Sequence, residues 1–299
     1  MLNEREEKTL WNPRYNLGVP EIDKEHRRLF SIIGKIMELT EKGEDSKAQH
    51  ACREGVKFFK SYTISHFAHE ESFMKSLSYG GYERHKKIHE DLKNNVLPAI
   101  EKDLEDSNYS MGAVKHFLGI CTAWLSIHIL SEDQVIMNRS TGAGIQLEIG
   151  SHEEAFERVL KKVAFDLYGF EMEPISNCYT GWNFGKAIFH EMTYTSNERK
   201  AMHIIYAMEE KMILSLASAK LGMEFKKVDE FLLSAVKEVL RELGRKISFY
   251  MGLEDEYKSR SGMMLSTSEI EEVFNHMTIL YSTLFKTPVG NFACSIYER

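Results

Sequence analysis

The chain reads as α+β: an N-terminal four-helix bundle over residues 1–140, a linker at 141–150 and an α+β domain over 151–299. Three observations predict this. Up to about residue 138, apolar residues recur with the helical period, and imidazole and carboxylate side chains sit one turn apart. The stretch Arg139-Ser140-Thr141-Gly142-Ala143-Gly144-Ile145-Gln146-Leu147-Glu148-Ile149-Gly150 then loses that period. Beyond it, helical stretches alternate with short apolar or alternating runs set off by turn residues. With 299 residues, 43% of them hydrophobic, there is material for a core in each of two domains.

The first helix is expected at 22–42, where Ile22, Leu29, Phe30 and Ile33 form an apolar stripe that carries His26 towards the core. A second runs over 47–78 and is closed by Gly80-Gly81; a third spans 82–103 and contains Pro98, which should kink it or end it early. The fourth, 111–138, includes the apolar run Ile120-Cys121-Thr122-Ala123-Trp124-Leu125-Ser126-Ile127-His128-Ile129-Leu130. In the second half, 153–167 reads as an amphipathic helix, and 187–194 and 202–208 as strands around the turn-like Thr195-Ser196-Asn197-Glu198-Arg199-Lys200. Helices follow at 210–221, ended by Gly222, and at 228–250. After Met263 come further strand candidates, the last two (278–285 and 292–297) forming a hairpin around Pro288-Val289-Gly290-Asn291.

Chemistry concentrates in the first half. Residues four apart on a helix share a face, so His66 with Glu70 and His85 with His89 are ready-made pairs of metal ligands. His128 and Asp133 are five apart, roughly 140° around a regular helix, so they form no ordinary same-face pair but can reach different sides of a dinuclear centre. A single histidine on an apolar face is usually a hydrogen-bonded core residue. His26, His66, Glu70, His85, His89, His128 and Asp133 together, at spacings that let four helices surround two irons, reverse that expectation. His50, His69, His116, His152, His190, His203 and His276 show no such mutual spacing and read as ordinary histidines, and Glu71 is likewise set aside.

From Trp11 to Asp133 the chain resembles a bacterial hemerythrin domain. The opening Trp, Ile22-Asp23-Lys24-Glu25-His26, His66-Phe67-Ala68-His69-Glu70-Glu71-Ser72-Phe73-Met74, His85-x-x-x-His89 and His128-x-x-x-x-Asp133 follow in order. The resemblance implies that His85, His89 and His128 bind one iron and His26 and His66 the other, with Glu70 and Asp133 bridging. It also implies that O2 binds at the iron with fewer protein ligands. Imidazole suits iron, and carboxylates from facing helices suit a diiron pair inside a bundle.

A net charge of -7 argues against a broad nucleic-acid surface. Cys52, Cys121, Cys178 and Cys294 are far apart and form no Cys-x-x-Cys, so they read as reduced thiols. The polar start Met1-Leu2-Asn3-Glu4-Arg5-Glu6-Glu7-Lys8 is unlike a signal peptide, and no apolar run approaches the roughly 20 residues of a bilayer span. A cytoplasmic protein without a membrane partner is the expectation.

The second half resembles the CheC/CheX family of chemotaxis phosphatases, through Leu216-Ala217-Ser218-Ala219-Lys220-Leu221-Gly222-Met223-Glu224 and the helix beginning Asp229-Glu230-Phe231-Leu232. In that family a helix presents Glu-x-x-Asn to the acyl phosphate of a receiver domain. Here Glu238 matches the Glu, Arg241 stands at the Asn position, and Gly244 is out of step with the family's glycine. A guanidinium holds phosphate but cannot accept a hydrogen bond from water. Glu238 and Arg241 are therefore a degenerate catalytic motif, and the other interpretation is a solvated helical ion pair. The expected whole is an O2-binding diiron sensor joined to a CheX-like module that dimerises and meets a CheY-like receiver. The alternatives are an oxygen-gated receiver phosphatase and a diiron storage or oxidase protein.

Overall fold

The computed structural model describes residues 10–41, 46–137, 152–177, 179–181, 185–196, 201–253 and 257–298. The expected linker and Cys178 lie outside the described residues. Two compact units emerge. One comprises Met1–Thr141, Ala217–Glu224 and Asp229–Ala235; the other comprises Gly142–Leu216, Phe225–Val228 and Val236–Arg299.

The first unit is built on α1 (Pro20–Glu41), α2 (Ser46–Ser76), α3 (Tyr82–Asp91), α4 (Leu97–Asp106), α5 (Met111–His128) and the short α6 (Gln134–Met137). Pro20 opens α1, where its missing N–H costs nothing. Buried Asp23 accepts from the Leu17 and Gly18 amides at 2.7 and 3.1 Å, fixing the chain's entry into the helix. Ile22, His26, Leu29, Phe30 and Ile33 are all buried, as the stripe predicts. Ahead of α1, Trp11 packs edge-on against Tyr15 and Phe30, Tyr15 stacks on Phe30 at 4.9 Å, and the Arg27 guanidinium covers the Trp11 face.

Two π-turns interrupt the helical ladder. One, Leu92–Val96, separates α3 from α4, so Pro98 falls in the first turn of α4. The expected third helix is thus two segments. The other, Ile129–Asp133, follows α5 directly.

Helix 111–137 is long and apolar enough to cross a membrane by length and composition, contrary to the expectation from sequence. Its apolar stretch is 78% buried, and residues from Val114 to Asp133 fill the bundle interior. Apolarity all round is what a central core helix requires.

The second unit holds a six-stranded antiparallel sheet in the order β1-β5-β6-β3-β2-β4. The strands are β1 (Glu173–Ser176), β2 (Ala187–Ser196), β3 (Ala201–Glu209), β4 (Tyr257–Leu265), β5 (Ile279–Thr287) and β6 (Gly290–Glu298). Its helices are α7 (His152–Tyr168), α8 (Glu210–Leu221) as far as Leu216, α9 (Glu230–Tyr250) from Val236 onward, and α10 (Thr267–His276). The β5–β6 hairpin forms where the sequence places it. The stretch after Met263 differs from expectation, because α10 intervenes before the hairpin. Ser266 caps it, its hydroxyl accepting from the Glu269 amide while the Glu269 carboxylate accepts from the Ser266 amide.

On one sheet face, Ile205 and Tyr297 pack with Ile270, Val273 and Phe274 of α10. On the opposite face, Tyr194 of β2 lies against α9 so closely that a Cβ on Gly244 would stand 2.0 Å from its hydroxyl oxygen. Gly244 is required by this approach of backbone to ring.

Candidate metal centre

All of the side chains singled out in the first half converge inside the bundle. His26, His66, Glu70, His85, His89, His128 and Asp133 are each at most 3% exposed. Six of them form two groups that share Glu70: His85, His89 and His128 on one side, His26 and His66 on the other.

In the first group the Nε2 atoms stand 3.1, 3.1 and 3.0 Å from one another. Three ligands on one face of an octahedron with bonds of about 2.1 Å are separated by about 3.0 Å, so the spacing matches a metal cap. His26 and His66 Nε2 are 3.0 Å apart, which fits adjacent positions on a second ion.

Both carboxylates face both groups. Asp133 Oδ1 is 3.0 Å from His128 Nε2 and 3.5 Å from His85 Nε2, while Oδ2 is 3.4 Å from His26 Nε2. Glu70 Oε2 is 3.3 Å from His89 Nε2 and 3.8 Å from His66 Nε2.

The His128–Asp133 approach corrects the expectation that they cannot share a face. A π-turn inserts one extra residue, so a five-residue offset behaves as a four-residue offset does in a regular helix.

Electrostatics favour a cation. None of the Glu70 and Asp133 side-chain oxygens has a hydrogen-bond donor, although all are buried. Buried acceptors left this way are costly unless positive charge meets them. His66 donates its Nδ1–H to Glu25 Oε2 at 2.9 Å, and His89 donates its Nδ1–H to Glu71 Oε1 at 3.1 Å. A carboxylate only accepts, so in both rings Nε2 carries the lone pair and points it at the centre.

Protonation without metal is uneven. Burial, reinforced by His66, presses the His26 imidazole down to about 4. Against the same burial, Asp133 and Glu70 push His128 up to about 10. Burial would also raise Glu70, but the imidazoles of His128, His85 and His89 hold it well below the carboxylate range.

Packing fixes the ring planes. Phe67 stacks on His89 at 3.9 Å and Trp124 on His128 at 4.3 Å. Arg84, beside His85, grips buried Glu132, beside Asp133, with two contacts of 3.0 and 3.3 Å, locking α3 to the π-turn. Glu25 and Glu71 are the functional residues that sequence reasoning passed over. The available signal was an acidic residue directly beside a ligand in each motif.

The donor set, imidazoles with two shared carboxylates, fits iron in a bundle. Residues 17–139 match the family model described as the hemerythrin HHE cation binding domain. Bacteriohemerythrin of Pseudomonas paraeruginosa is 35% identical over 129 residues, covering 42% of this chain and 76% of the relative. The chain belongs to the hemerythrin family. Bacteriohemerythrin of Clostridium acetobutylicum is 28% identical over 127 residues, 42% of this chain and 95% of the relative. Membership and the His/Glu cluster together support a non-heme iron centre in this hemerythrin-type bundle.

For the second unit, a solved chemotaxis protein CheX from Vibrio vulnificus aligns at 13% identity and a TM-score of 0.38, covering 50% of this chain and 97% of its own. The residues of the degenerate motif lie together on α9. Arg241 donates to both Glu238 oxygens, Nε to Oε2 at 3.0 Å and Nη2 to Oε1 at 2.8 Å. Glu238 is only 6% exposed, so the pair is a partly buried bidentate bridge rather than a solvated one.

Proposed function

We propose that this chain is an oxygen-responsive signalling protein of the cytoplasm: a diiron hemerythrin centre that binds O2, joined to a CheX-like module at 151–299 that dimerises and meets a CheY-like receiver domain. The observation that carries the reading is the seven-residue convergence in which both buried carboxylates face both histidine groups. His85, His89 and His128 would hold one iron and His26 and His66 the other, with Glu70 and Asp133 shared between them. Two irons held there would supply the electrons that O2 binding draws on.

The protein's own contribution is position, charge and exclusion of water. Five neutral imidazoles and two carboxylates offset the ions' charge only in part, which leaves the site responsive to a further anionic or electron-accepting ligand. The unequal count of imidazoles, three against two, leaves the His26–His66 side with the smaller set of protein donors, where a further ligand would find room. Phe67 and Trp124 close the interior around His89 and His128.

In the second unit, Arg241 takes up one acceptor site on each Glu238 oxygen and, having no acceptor of its own, cannot help orient a water as an amide would. That supports receiver binding without rapid phosphatase turnover. The buried thiols of Cys52 and Cys294 suit a reducing compartment.

The test is the optical spectrum of anaerobically reduced protein before and after air, together with metal analysis of iron-supplied protein. About two irons per chain are expected from the dinuclear ligand set, with a spectrum that changes on air and reverts under vacuum. Stoichiometric zinc or a single iron in folded protein overturns the reading.

A further inference from the structure

The two outer carboxylates are not equivalent. Glu71, next to Glu70 on α2, holds His89 of the three-histidine group. Glu25, next to His26 on α1, holds His66 of the two-histidine group and does more. Its second oxygen, Oε1, accepts the Nδ1–H of His69 at 2.6 Å. The His66 side chain is fully buried, that of Glu25 is 19% exposed and that of His69 is 62% exposed. One carboxylate therefore pins α1 to two successive histidines of α2 and ties a buried candidate ligand to a surface imidazole.

We propose that Glu25 is the positioning residue of the two-histidine half of the centre, fixing the His66 tautomer and setting that iron's redox balance, with His69 as its surface anchor. The inference rests on the diiron reading above and adds to it a residue that touches no metal.

The physical reason is twofold. Glu25 accepts from His66 Nδ1, so the Nε2 lone pair is committed to the interior before any ion arrives. The carboxylate's negative charge, delivered through the imidazole, makes His66 a more basic ligand and favours the higher oxidation state. Glu71 does the same for the other half through one hydrogen bond, which makes it the natural comparison.

Glu25→Gln keeps an acceptor oxygen and loses the charge; Glu25→Ala loses both; His69→Ala removes the anchor alone; Glu71→Gln is the control. The tautomer is read without iron, from long-range nitrogen–proton correlations of the imidazoles in the folded, metal-free full chain. His66 should carry its proton on Nδ1 in wild type and Glu25→Gln and lose that preference in Glu25→Ala. On iron-loaded protein, removal by a chelator should accelerate by about 10- to 100-fold in Glu25→Ala, the range typical for residues acting through a ligand. Only about half of the iron should leave in that fast phase. Glu25→Gln should retain its iron but show a raised midpoint potential, and His69→Ala should fall between Glu25→Gln and wild type.

A wild-type protein without iron sinks the diiron reading, while the tautomer measurement still judges Glu25. Iron-replete wild type with an unchanged tautomer in Glu25→Ala, or with equal potentials in wild type and Glu25→Gln, overturns this proposal and leaves the diiron reading intact. If Glu71→Gln shifts the potential as much as Glu25→Gln, the assignment of Glu25 to one half is wrong.

Discussion

At the scale of single residues, the contrast within His66-Phe67-Ala68-His69-Glu70-Glu71 is the sharpest. These residues share one helix, yet Glu70 is 1% exposed with both oxygens lacking a donor, and His69 is mostly in solvent. Replacing Glu70 or Asp133 by Ala should therefore weaken iron retention beyond the roughly 10- to 100-fold of an outer residue, and His69→Ala should not exceed that range. Iron content after gel filtration decides it, and a His69 variant that loses more iron than a Glu70 variant contradicts the assignment of that face.

His190 supplies a pH prediction away from the metal. It is 2% exposed, its Nδ1 lacks a partner, and burial, with Lys237 nearby, lowers it to about 4. The folded value lies below the unfolded value of about 6.5, so the neutral form stabilises the fold. That contribution is intact above the unfolded value and lost as pH falls towards the folded one. Unfolding of the second unit should lose about 2 kcal/mol between pH 7 and pH 5 from this group, and His190→Gln should flatten that part of the curve. An equally steep fall in the variant would assign the acid sensitivity elsewhere.

At the scale of elements, the parts legible in the sequence are those whose signal is local. The bundle helices and the ligand pairs at i and i+4 follow directly from helical period, and the β5–β6 hairpin follows from its turn residues. What escaped depends on less regular geometry. The π-turn at Ile129–Asp133 is announced only by the five-residue offset of the ligands it serves, which a regular helix cannot reconcile. Helix α10 was hidden between strand-like runs, although Ser266-x-x-Glu269 carried its capping box in plain view. β4 carries Lys258, Arg260 and Gly262, polar or small residues suited to a sheet edge, and so lacks the alternation by which strands are recognised. The Glu25–His66 pairing spans two helices, and no single-helix period encodes it.

Gly244 gives an element-scale test. In an exposed helix, Gly→Ala stabilises by about 1 kcal/mol. In α9 the new methyl would meet the Tyr194 hydroxyl at 2.0 Å, so Gly244→Ala should instead cost about 1–3 kcal/mol. Because the Tyr194 hydroxyl has no hydrogen-bond partner, Tyr194→Phe removes the clash without leaving a polar group unmet. The double variant should recover most of the loss in urea unfolding; simple additivity of the two single effects would mean that the contact is not what fixes α9 on the sheet.

At the scale of the whole molecule, the question is whether an iron-binding unit and an α+β unit in one chain make a sensor or an enzyme. Membership of the hemerythrin family covers the bundle; the signalling role proposed for the α+β unit rests on Glu238 and Arg241 of α9. A phosphatase that orients water needs a carboxylate and an amide with free acceptor oxygens. Here the carboxylate is bound by the guanidinium at both oxygens, and the guanidinium has no acceptor. A bidentate guanidinium released from Glu238 could in turn grip a phosphoryl group, which suits recognition better than turnover. The chain should therefore bind a phosphorylated receiver and leave its phosphate in place over the receiver's own lifetime, with iron reduced or exposed to O2. Arg241→Asn restores the amide and frees Glu238, and should raise the dephosphorylation rate above that of the wild type; Glu238→Ala should not. Rapid dephosphorylation by wild type that disappears in Glu238→Ala would make the protein an oxygen-gated phosphatase, with the Glu238–Arg241 bridge opening on contact with the receiver.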